Sequence, residues 1–226
     1  MSKKAFHRAP PIALATVAAL LLVASLRFPL WQMRLEAPQY HDEEALRIAV
    51  FPNHYGGDMR EISVLDQYIG VHVPRTLPQF DWLPILLVGG ASLGITASLL
   101  GPRFRQRALA LVCGVIAAGV VCAAVQAKSQ MHDIGHKRDH RTILAGMRDF
   151  TPPFLGTSKI AQFTVTSRFG LGAWLIACAL AFQLGASLAS RRTSAAAPRP
   201  EIITKPPPRE INPNPPLHLS NLAREI

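Results

Sequence analysis

Four stretches of this chain carry no Asp, Glu, Lys, Arg or His: residues 10–26, 82–100, 108–127 and 169–189. That feature decides most of what the chain can become. A helix rises 1.5 Å per residue, so a hydrocarbon core about 30 Å thick needs roughly 20 apolar residues. The last three stretches meet that length. The first is shorter, but Arg27 can snorkel and Phe28 and Trp31 suit the interface. An apolar block is otherwise a buried core helix, and four of them in 226 residues argue against a soluble core. Charged residues make up only 17% of the chain, against about 25% in soluble domains. The net charge of +10 is therefore read as a topology signal. No nucleic-acid partner is expected; the partner is the bilayer.

The basic residues set an orientation. Lys3, Lys4 and Arg8 precede the first block, Arg103, Arg105 and Arg107 lie between the second and third, and Arg191 and Arg192 follow the fourth. These segments belong on the cytoplasmic side. The expected order is a cytoplasmic start (1–9), helix 1 (10–26), a first outer loop (27–81), helix 2 (82–100) and a cytoplasmic turn (101–107). Helix 3 (108–127), a second outer loop (128–168), helix 4 (169–189) and a cytoplasmic tail (190–226) follow. The fold class is thus all-α membrane, with four transmembrane helices and both termini inside. The alternative for the first block is a cleaved leader ending at Val23-Ala24-Ser25.

Small residues are expected to bring the helices together, because lipid supplies no hydrophobic drive between them. Gly90 and Gly94, Gly114 and Ala118, and Ala177, Ala181, Gly185 and Ala189 have the spacing. Cys113, Cys122 and Cys178 all fall within the blocks and form no disulfide framework. The Pro-rich run from Ser194 onward cannot bury a core and reads as a disordered tail.

The two outer loops hold the chemistry and are expected to form a small mixed cap. Leu46, Ile48 and Val50 alternate with other residues, as in a strand. Asp58 and Glu61 have the spacing of a helix cap and its partner. In the second loop His132, His136 and His140 lie at i, i+4 and i+8, one face of a helix, and imidazoles so spaced can share a metal ion. Met131 and Met147 add thioethers suited to Cu(I), and His41, His54 and His72 share that side. Gly135 weakens a helix there, and a polar loop with surface histidines is the plainer reading. No nucleophile elbow or phosphate loop is present, so no enzyme is expected.

Several segments resemble a family of bacterial multi-span membrane proteins associated with accessory factors for copper enzymes of the nitrous oxide reductase type, including their copper-delivery lipoproteins. The likeness rests on Phe28-Pro29-Leu30-Trp31 and Leu35-Glu36-Ala37-Pro38-Gln39-Tyr40, on Asp58 with Glu61-Ile62, and on Leu65 through Gly70. It resumes at Asp133-Ile134-Gly135-His136, Pro152-Pro153-Phe154-Leu155-Gly156 and Lys159-Ile160-Ala161-Gln162-Phe163. Where the family shows a His and a Met, this chain has Gln67 and Val71, with His72 one residue beyond. The resemblance implies an inner-membrane protein with a shared outer site. Copper would be held by His136 with His132, Met131 or His72, and surrounded by Glu36, Tyr40, Asp58, Glu61 and Tyr68. Its implied partner is a copper enzyme or a copper-delivery protein. The expected function is a non-enzymatic accessory protein; the alternative is an assembly subunit of a membrane complex without metal.

Overall fold

A computed structural model describes residues 9–36, 45–61, 77–136, 152–160 and 163–195. Within them the chain runs α1 (Ala9–Ser25), β1 (Trp31–Glu36), β2 (Leu46–Val50), β3 (Tyr55–Gly57), α2 (Trp82–Leu99), α3 (Pro102–His136), β4 (Gly156–Ile160), β5 (Phe163–Phe169) and α4 (Leu171–Ala195). A 3-10 turn, Pro78–Phe80, leads into α2.

Three helical stretches, Pro78–Leu99, Phe104–Asp133 and Leu171–Arg191, are long and apolar enough to cross a membrane. They make this a membrane protein. The 17 residues of α1 span only about 26 Å, short of the hydrocarbon core. The four helices nevertheless form a ring: α1 packs on α2 and α4, and α3 packs on the same two.

Gly90 and Gly94 set that packing, as their spacing predicts. A Cβ on Gly90 would lie 2.6 Å from the Ile116 side chain, and one on Gly94 would lie 2.9 Å from Gln183 Nε2. The other small-residue faces lie elsewhere than expected. Gly114 meets nothing within 4 Å, and Gly119 instead receives Leu86. Ala177 and Ala181 face outward, while α4 buries Ile176, Ala179, Gln183, Ala186, Ser187 and Ser190. Both periodicities are available in an Ala-rich helix, and the contact goes to the face whose partner offers a groove.

The chain also departs from an all-α fold. The two loops build one five-stranded sheet, order β3-β2-β1-β5-β4, antiparallel throughout. Strand β2 coincides with the alternation read at Leu46 to Val50. The central pair joins the two loops: β1 leaves α1 and β5 enters α4, with Trp31 opposite Phe169 and Glu36 opposite Thr164. Where that pair begins, backbone crosses backbone. Gly170 N–H donates to Leu30 O at 2.9 Å and Gly172 N–H to Pro29 O at 2.9 Å. A Cβ on Gly170 would sit 2.1 Å from Pro29 O, so no larger residue fits this crossing.

The connection between α2 and α3 shrinks to Leu100 and Gly101. Leu100 turns extended and Pro102 opens the next helix, a position that needs no backbone donor. At its other end α3 continues through Gly135 to His136, well past the 108–127 stretch. Gly119 sits level with Leu86 and Trp82, close to where α2 begins. The last dozen or so residues of α3 therefore rise about 20 Å beyond the start of α2, on the side that carries the sheet. We call this the cap end. The Pro-rich tail expected to be disordered lies outside the described residues.

Candidate functional site at the cap end

Side chains alternate across a strand, so the sheet has two unlike faces. Trp31, Met33 and Leu35 share one face with Ile48, Val50 and Val165. Arg34, Glu36, Arg47 and Arg168 share the other. Arg34 and Arg47 stand directly opposite each other in register, and Glu36 meets Arg34 at 2.9 Å. Asp58 closes the β2 end: its carboxylate accepts the Arg47 N–H at 2.8 Å and its own N–H donates to Arg47 O at 2.9 Å. Helical residues 59–61 follow it, and the rest of the helix expected there lies outside the described residues. Glu61 is exposed there. Glu36 and Asp58 are thus held by the sheet itself.

The apolar face is anchored at its base. Trp31 is buried and its Nε1–H donates to Phe154 O at 2.6 Å. The Phe154 ring stacks on Trp31 at 6.5 Å and meets Phe169 edge-on at 6.2 Å. Between this cluster, the bundle and α3 lies a chamber of about 150 Å³ with almost entirely apolar walls. Tyr55 is part of its wall, and burial pushes the phenol pKa up from its ordinary value.

The expected metal ligands fall in two groups. His132 and His136 are together on α3, both exposed, with ring centroids 4.0 Å apart. The Nδ1 of His136 lies 2.8 Å from His132 O. A carbonyl can only accept, so Nδ1 is the donor in this bond. Met131, one residue earlier, is half-buried and lines the chamber. His72, Tyr40 and Tyr68, like His140, lie outside the described residues. Among the described residues, no group of three or more His, Cys, Asp or Glu is placed to hold a metal ion.

Two interior polar residues carry no signal in the spacing argument. Arg105, read as a turn residue, is 2% exposed inside the bundle, and its Nε donates to Ser190 Oγ at 3.0 Å. Ser190 in turn donates to Ala186 O at 2.8 Å. Gln183 is 3% exposed, and its Nε2 has no hydrogen-bond partner among the described residues. As a lone amide within an apolar block, Gln183 was visible in the sequence. The burial of Arg105 was not, because it depends on α3 starting at Pro102 and turning that side chain toward α4. No family model matches the chain, and no curated protein matches it.

Proposed function

We propose that this chain is a non-enzymatic, multi-pass accessory protein of the bacterial inner membrane that handles copper on its outer face for maturation of a copper enzyme. In this reading α1 serves as a fourth span, with Arg27 and Phe28 meeting the interface. Both termini are cytoplasmic in this reading, because Arg103, Arg105, Arg107, Arg191 and Arg192 lie on the helix ends away from the sheet, and the sequence places Lys3, Lys4 and Arg8 ahead of α1. The cap then faces outward.

One observation carries the metal reading. With Nδ1 donating to His132 O, Nε2 of the neutral ring would be the ligating atom, the arrangement common in metal-bound imidazoles. His132 one turn away would supply a second nitrogen and Met131, drawn from the chamber wall, a thioether, a nitrogen and sulfur set that suits Cu(I) as cargo. The test is a Cu(I) titration of the purified protein against a competing chelator. Stoichiometric binding that His136→Ala abolishes supports the reading, and no binding at micromolar Cu(I) overturns it.

The second reading, an assembly subunit without metal, is favoured by the outward placement of Ala177 and Ala181 on α4. Small residues facing lipid fit a further helix. It predicts a partner that co-purifies whether or not copper is present.

A further inference from the structure

We propose that the chamber between the sheet and α3 holds the ester-proximal segment of one hydrocarbon chain of a phospholipid drawn from the adjoining leaflet. This rests on the chamber, whose wall shares Met131 with the metal reading, and its test does not involve copper.

The space exists because the wall residues there are small. Ala123, Ala124 and Ala127 on α3 and Ala173 on α4 face aromatic rings of the cap, Trp31 and Phe154 among them. Protein interiors are otherwise packed like organic crystals, so an opening of this size is a feature of the design of the site. An apolar opening of about 150 Å³ stays dry and accepts hydrocarbon. Water would find few partners in such walls.

Its position selects the occupant. Leu83, Ala123 and Ile176 in the wall belong to the three membrane-crossing stretches, one from each. The chamber therefore reaches down to the core of the membrane-crossing bundle, and it ends among Gln130 and Met131 near the end of α3. Gln130 is oriented by Gln79, whose Nε2 donates to its Oε1 at 2.9 Å. That bond leaves the Gln130 amide hydrogens to donate. Together with the Tyr55 phenol they offer donors to the ester carbonyls where a lipid chain meets its headgroup. An apolar wall with donors and, among the described residues, no cation within it fits the chain and ester region of a phospholipid.

The experiment uses the full chain with Trp82→Phe and Trp174→Phe, leaving Trp31 as the one indole. The protein is placed in nanodiscs of phosphatidylcholine or of its dibrominated form, and Trp31 emission is compared. Bromolipid is expected to reduce emission by more than half. Ala127→Phe, which fills the chamber, should restore at least half of the loss; Ala173→Leu, from the opposite wall, serves if the first variant does not elute as folded protein. Trp31 emission indifferent to bromine overturns the proposal and leaves the chamber to an apolar peptide. Equal quenching in the parent and the filled variants also overturns it, since surrounding lipid would then account for the signal.

Discussion

Replacing Gly170 with alanine tests the junction on which the cap depends. The new Cβ would lie 2.1 Å from Pro29 O and 2.8 Å from Pro29 C, where real Cβ atoms essentially never come within 3.0 Å. The obstacle is backbone, so no side-chain rotation relieves it. The connection between α1 and β1 must withdraw by about 1 Å. The bonds from Gly170 to Leu30 and from Gly172 to Pro29, each 2.9 Å, would then stretch beyond useful length. Two such bonds contribute about 2 kcal/mol together. Residual overpacking adds about 1 kcal/mol or more. A total near 3 kcal/mol corresponds to a drop in Tm of roughly 6–12 °C for a chain of this size. Thermal unfolding in detergent, followed by tryptophan fluorescence, reads it directly, because Trp31 sits at the first rung of β1. Gly89→Ala is the control, since nothing lies within 4 Å of the added Cβ. A Gly170→Ala protein as stable as the control would show that the crossing is not as close as described, and the argument for a fixed cap would fail with it.

Trp31→Phe removes the donor to Phe154 O and should cost about 1–2 kcal/mol, measured by the same unfolding curve. Gln183→Leu should leave stability unchanged or raise it by about 1 kcal/mol, because the replaced amide has a buried nitrogen without a partner; a clear loss would mean the amide has an occupant to hold. Tyr55 should titrate above the ordinary tyrosine range in an ultraviolet absorbance titration, and Tyr55→Phe should remove that late step. Its raised folded-state pKa contributes stability that is complete below pH 10 and is lost as pH rises above that value toward the folded pKa. His136→Ala should abolish stoichiometric Cu(I) binding while leaving Tm unaltered, given that the ring is exposed.

The uncharged blocks alone made this a membrane protein. Lipid admits only segments that satisfy their own backbone, so three long runs without a charge leave helices as the outcome. The strand at Leu46 to Val50 was legible for a similar reason, since alternation over a few residues is local. Trp31 to Glu36 alternates as well, but pairing β1 with β5 joins residues more than 120 positions apart, and no local pattern names such a partner. The helix through Gly135 was likewise decided by context: a single glycine costs about 1 kcal/mol, which a helix already running from Pro102 can absorb.

What the sequence determined by itself is the solvent each segment can live in, because hydropathy is a property of residues one at a time. What only the tertiary structure decided is which faces meet. It chose Gly119 over Gly114 and the Gln183 face over the Ala181 face, it buried Arg105, and it opened a chamber opposite Ala127. Each of those depends on the shape of a partner surface, and shape complementarity is a property of pairs.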